Sequence, residues 1–305
     1  MIVPIPMRAM AAGLIETARS QPVVLDDLDE ALGQLTDLGR CIVAPLAGLV
    51  RKAVIPFAIV RGWRVVKHAS FAAWAESLGC REDWQLVLDP VFPIASLGEK
   101  ARRVRLTRSR VGDQWQITSR LPMDLEGCLS GGTVNVLDDA CAHGRTLRHL
   151  HDLVSEIGAR ICSVILCSSM AKGRSAVTVA LPGVAFSVFL NGDYDALHLR
   201  DGCPGLPFSG RRASRDSAIV TDRGLIPVCV PPTAYRGGLW DTLHMDGGVR
   251  WALVGARWQL ADRLSAALGR PATVADISLL GSDVGVPLFP KQAASANTPL
   301  AQILA

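Results

Sequence analysis

Two adjacent carboxylates, Asp138 and Asp139, close an apolar stretch, and a turn of small residues follows them. Residues 134–147 read Val-Asn-Val-Leu-Asp-Asp-Ala-Cys-Ala-His-Gly-Arg-Thr-Leu. Acids in that place can accept hydrogen bonds from sugar hydroxyls or help hold a divalent cation. The turn through Gly144 leads into an amphipathic stretch, and the first amide N–H groups of a helix there would point at an anion. The dipole at such a terminus contributes roughly 0.3–1 kcal/mol when exposed and up to about 2 kcal/mol when partly buried. Each charge-assisted hydrogen bond adds about 1.5–3 kcal/mol. Together these terms are ample for micromolar phosphate capture after entropy losses. A sugar grip and a phosphate cradle a few residues apart suit a phosphorylated pentose.

Such groups work only if the chain positions them. Residues 133–137 read as a buried strand, and residues 145–157 as a helix with Leu147, Leu150, Leu153, Val154 and Ile157 on one stripe. Gly158 caps that helix and residues 161–167 return as a strand, which makes a β-α-β unit. Upstream, residues 25–38 carry leucines at helical spacing up to Gly39. Residues 41–45 then read as a short strand, Ala47-Gly48 as a turn, residues 49–60 as a helix interrupted at Pro56, and residues 63–67 as a strand. Two such units predict an α/β fold, a mostly parallel sheet flanked by helices. Residues 70–78 suit a short helix, 85–91 a strand, 103–120 a basic hairpin around Gly112-Asp113, and 184–190 a further strand. Residues 192–232 are rich in Gly, Pro, Arg and Asp and read mostly as loop, and 251–268 reads as a helix.

The composition sets outer bounds. With 305 residues, 49% hydrophobic, 20% charged and a mean hydropathy of +0.27, the chain is expected to fold as a globular protein. No uninterrupted apolar run spans a bilayer and the N-terminus lacks a signal-peptide layout, so a soluble cytoplasmic protein without a membrane role is expected. The net charge is +4, but the basic residues are dispersed; residues 102–110 and the trio Arg211, Arg212 and Arg215 are too thin for a nucleic-acid surface. Eight cysteines include no CxxC pair, which argues for reduced thiols over a zinc site. His198, Asp241 and His244 lack the patterns of a metalloprotease or an esterase.

Residues 134–147 resemble the phosphoribosyl pyrophosphate (PRPP) loop of type I phosphoribosyltransferases: four apolar residues, two acids, a short turn, then Gly and Thr. Asp138, Asp139, Gly144, Thr146 and Leu147 carry the match. The resemblance implies transfer of ribose 5-phosphate from PRPP to a nucleobase or other small nucleophile, with Mg²⁺ as cofactor and pyrophosphate released. Asp138 and Asp139 would then be the catalytic acids, binding the ribose hydroxyls and the metal. Ala142, His143, Gly144, Arg145 and Thr146 would hold the 5′-phosphate. Residues 42–48 look like the family's pyrophosphate loop, which places Ala47 and Gly48 against pyrophosphate. The basic hairpin is similar to the family's mobile loop, so Arg108 and Arg110 would close over it. Asp193, beside Tyr194 and Asp195, would be a further metal contact. The chain departs from the pattern at Asn135, at Ala140-Cys141 and at His143, where the family has Thr or Ser. Ala142 stands where the 6-oxopurine enzymes have an aspartate base, which disfavours a hypoxanthine or guanine substrate. The expected organisation is an N-terminal helical segment, 1–34, serving as a hood; a phosphoribosyltransferase-like domain, 35–210, with an insertion near 70–97; and a C-terminal extension, 211–305, with its helix at 251–268. PRPP and a small-molecule acceptor are the implied partners, and a homodimer is left open. The alternative is a non-catalytic PRPP or nucleotide sensor on the same fold.

Overall fold

The computed structural model describes residues 20–79, 83–104, 106, 108–111, 114–117, 121, 123–207, 211–212, 218–230, 243, 246–288 and 293–304. Two parallel sheets organise it. The first holds β1 (Gln21–Asp26) between β2 (Arg64–Lys67) and the later strand Tyr194–His198. Between β1 and β2 lie α1 (Leu28–Leu32) and α2 (Asp37–Val60). The second sheet begins after α3 (His68–Ser77), with β3 (Trp84–Val87) and β4 (Ala101–Arg103). A hairpin of β5 (Arg108–Val111) and β6 (Gln114–Ile117) and a helix α4 (Met123–Leu129) then lead into β7 (Thr133–Cys141). Next come α5 (Arg145–Glu156), β8 (Arg160–Ser169), α6 (Ala171–Ala180) and β9 (Ala185–Val188). The five strands order as β4-β3-β7-β8-β9, all parallel. The strand Tyr194–His198, β10, returns the chain to β1, and α7 (Leu199–Gly202) follows it directly. This is the α/β architecture that the two β-α-β units predict.

Three apolar cores hold the layers. Leu147, Leu150 and Val154 of α5 and Val177 of α6 cover Val134, Val136, Val164 and Leu166 on one face of the five-stranded sheet. On its other face, Leu137, Ile165 and Val87 meet Phe71 of α3 and Val23 and Leu25 of β1, so the smaller sheet and α3 share a core with the larger one. Beyond β1, α2 packs on the long helix Gly247–Leu268 in the third core. That helix begins four residues before the expected start, where Asp246 accepts a hydrogen bond from the Val249 amide at 2.9 Å.

The structure corrects the reading of residues 25–60. Residues 21–26 form a strand, so the described part of the N-terminal segment is not a helical hood; it supplies the centre of the smaller sheet. Gly39 does not stop a helix. It lies in the first turn of α2, where a Cβ would stand 2.1 Å from the Leu280 carbonyl oxygen. Residues 41–45 are helical, and Ala47 and Gly48 lie mid-helix. Ile42, Val43, Leu46, Ala47, Val50, Val54 and Ala58 are buried at i, i+3, i+4 spacing. That packing prevails over Pro45 and Pro56, each of which costs an interior helix about 3 kcal/mol. By length and composition α2 is also the one described helix able to cross a bilayer; here its apolar face is part of a core. The stretch 70–97, expected as an insertion, contains most of α3 and all of β3, and β3 is a direct neighbour of β7.

Candidate phosphate and sugar site

Asp138 and Asp139 lie at the carboxyl end of β7, between the ends of β3 and β8. Both are almost fully buried, and the Asp139 amide donates to Asp138 Oδ1 at 3.0 Å. The chain then turns through Ala142 and His143 to Gly144, the N-cap of α5, which sits in the left-handed region at φ +69°. Gly144 brings no side chain to the first-turn amides of α5. A Cβ there would stand 2.5 Å from Val177 Cγ2 and 3.0 Å from the Gly173 carbonyl oxygen. Gly173 closes the same contact from α6: its Cβ would lie 2.6 Å from the Cys141 carbonyl oxygen. The turn is therefore wedged against α6, with the backbone brought close and the amide end of α5 turned to the strand ends.

At His143 the cations Lys172 and Arg145 outweigh the acid Asp195. Burial and the neighbouring Lys172 and Arg145 depress the pKa of His143, so its imidazole stays neutral among cations. An arriving phosphate dianion would meet Lys172, Arg145 and the α5 terminus together.

The acid pair is tied to the smaller sheet. Arg200 Nη2 donates to Asp139 Oδ2 at 2.8 Å, while Nη1 donates to the fully buried Asp27. The Arg200 amide also donates to Asp27 Oδ1 at 2.9 Å. His198 sits between the same acids, 3.1 Å from Asp27 and 3.6 Å from Asp139. Burial opposes ionisation of Asp139, but His198 and Arg200 outweigh it and hold the pKa below the ordinary carboxylate range. The same balance, with Arg200 foremost, lowers the pKa of Asp27.

Ala47 and Gly48, expected in a pyrophosphate turn, lie inside α2 instead. Beside the end of β7, residues 88–93 leave the end of β3, and the Leu88 amide donates to the Leu137 carbonyl at 2.8 Å. Asp89 there is fully buried; its Oδ1 accepts from the Val91 amide at 3.0 Å and its Oδ2 lies 2.5 Å from His68 Nε2. Glu30 Oε1 lies 3.6 Å from the other His68 nitrogen.

The backbones of Arg108 and Arg110 lie in the predicted hairpin, and their side chains fall outside the described residues. Asp193 is placed otherwise than expected. Its carboxylate accepts from the Ala171 amide at 2.8 Å, capping α6. Asp139 Oδ2 is paired to Arg200 and Asp193 caps a helix, so two of the three carboxylates expected at Mg²⁺ are already engaged by protein donors. Among the described residues no group of three or more His, Cys, Asp or Glu is placed to hold a metal ion.

No family model matches the chain, and no curated protein sequence does. Solved structures similar to part of it include phosphoribosyltransferases. An adenine phosphoribosyltransferase from Thermoanaerobacter pseudethanolicus shares 17% identity at a TM-score of 0.29, over 40% of this chain and 77% of that one. A purine phosphoribosyltransferase from Pyrococcus horikoshii shares 16% at 0.29, over 42% and 85%. An orotate phosphoribosyltransferase from Aeropyrum pernix shares 14% at 0.28, over 40% and 70%. The assignment of the site rests on this chain's own geometry.

Two features lay outside the sequence reading. The Asp27-Leu28-Asp29-Glu30 run has a signal, three acids at a strand end, but the leucine spacing masks it as helix. His198 is legible in the sequence only as a lone histidine, and the pairing of Arg200 with Asp139 and of His198 with Asp27 has no local signal, since the partners lie 61 and 171 residues away.

Proposed function

We propose that this protein binds PRPP and transfers its ribose 5-phosphate to a small nucleophile, releasing pyrophosphate. The observation that carries the reading is the wedged turn: Gly144 and Gly173 bring the amide end of α5 beside an acid pair on the adjoining strand end. The α5 terminus, Arg145 and Lys172 receive the 5′-phosphate, and Asp138 accepts from the ribose hydroxyls. Residues 88–93, rather than 47–48, face the pyrophosphate end. In the transfer, the bond from ribose C1 to pyrophosphate oxygen breaks and its electron pair leaves with pyrophosphate. The acceptor supplies the electron pair of the new bond at C1 and gives up a proton. The chain's task is to fix the two ends of the sugar phosphate and to exclude water around a cationic transition state.

One observation favours a second reading, a PRPP sensor without turnover: Asp139 is already paired with Arg200. Calorimetry with PRPP, followed by a pyrophosphate-release assay across a panel of nucleobases, tests both. Binding with release establishes the transferase, binding without release on any acceptor leaves the sensor, and no binding removes both.

A further inference from the structure

The fold family implies a cation at the acid pair, and the side chains here do not fit one. Where a cation would meet Asp139, the guanidinium of Arg200 is 2.8 Å from Oδ2. Arg200 is anchored from behind, by side chain and by backbone amide, on Asp27 at the end of β1. It is almost fully buried, as are both acids, so its position is set by the core and not by solvent. Arginine keeps its charge under all ordinary conditions and offers a planar fork that suits two carboxylates at once. His198 lies against the same two carboxylates.

We propose that Arg200 is the built-in counter-ion of this site, a positioning residue that fixes Asp139 from the smaller sheet so that the sugar is gripped without a protein-bound divalent ion. The inference rests on the phosphoribosyl reading above and goes beyond it by assigning the cation's place to a side chain. It also gives β1 a role: Asp27, just past its end, holds the residue that sets the acid pair.

The test uses ribose 5-phosphate, which carries the hydroxyls and the 5′-phosphate but no pyrophosphate to bring a metal with it. Calorimetry is run on the full chain in excess EDTA and in excess Mg²⁺. The wild type is expected to bind equally in both. Arg200→Gln leaves two buried carboxylates without their cation, so D27N/R200Q is the paired variant that keeps the buried charge balanced. In the double variant the affinity in EDTA is expected to fall about tenfold or more, with Mg²⁺ restoring part of it; Arg200→Lys, which keeps the charge, retains part of the affinity without Mg²⁺. A wild type that binds only with Mg²⁺, or a double variant that binds in EDTA as the wild type does, overturns the proposal.

A second readout needs no ligand. The ¹³Cγ resonance of Asp139 is followed to low pH in wild type and in D27N/R200Q; the groups facing it are Arg200, His198, Asp138, Asp201, Cys167 and, more distantly, His68. Protonation at higher pH in the double variant supports the counter-ion, and identical titrations overturn it. If ribose 5-phosphate binds to no form, the phosphoribosyl reading falls, and the Asp139 titration alone decides whether Arg200 fixes that acid.

Discussion

His68 offers the sharpest quantitative consequence of the buried charges. It is fully enclosed at the start of α3, between Asp89 and Glu30, and edge-on to Phe71 and Phe92. Burial opposes its charge, but the hydrogen bond to Asp89 and the nearby Glu30 carboxylate prevail and raise its pKa from 6.5 to about 10. A folded-state pKa above the unfolded value makes the charged ring stabilising. That contribution is fully present below pH 6.5 and is lost as pH rises through about 10. The gap corresponds to roughly 5 kcal/mol, near the 3–5 kcal/mol typical of breaking a buried ion pair. His68→Gln keeps a hydrogen-bond donor near Asp89 but no charge. Urea unfolding of both proteins from about pH 6 to about pH 10 gives the difference in stability, which should shrink by up to about 1.4 kcal/mol for each pH unit. Taking the difference cancels the titration of other alkaline groups. A difference that does not change with pH, or an imidazole NMR midpoint near the ordinary value, would refute the argument. Residues 88–93 would then lose their proposed anchor beside the acid pair.

Other consequences are simpler. Gly48→Ala should raise stability by about 0.5–1 kcal/mol in urea unfolding, because Gly48 is interior to α2 and its Cβ would meet open space; a loss of PRPP binding would instead restore the pyrophosphate role that the helix removes. Gly144→Ala should cost about 2–4 kcal/mol, from a left-handed backbone and the contact with Val177, and should weaken phosphate binding measured by calorimetry. An unchanged midpoint there would show that the turn is not wedged. Lowering the pH below the ordinary carboxylate range should destabilise the fold, since the depressed pKa values of Asp27 and Asp139 supply stability that is present above about pH 4 and lost as pH falls through their folded values; acid titration followed by circular dichroism reads this.

The sequence carries the central β-α-β unit plainly because its signals are local. A buried, mostly apolar run ends at an acid pair, Gly144 permits the turn, and α5 repeats its leucines at helical spacing. Residues 41–48 misled because six apolar residues before a glycine satisfy a strand and a helix equally. Only the wider spacing of Ile42, Leu46, Val50 and Val54, and the partner helix 200 residues on, decide between them. Residues 88–93 contain Pro90 and Pro93 but no glycine, so the sequence has no local mark of a close backbone approach there. The clamp from Asp27 through Arg200 to Asp139 joins three distant segments, and its charges are meaningful only once burial brings them together.

Titrating PRPP into the wild type and into Asp138→Asn by calorimetry tests the central claim most directly. Asp138 is the proper choice because Asp139 also holds the buried Arg200. The account predicts micromolar binding by the wild type and at least about a tenfold loss in the folded variant. No heat with the wild type, or equal affinity in the two proteins, would contradict it.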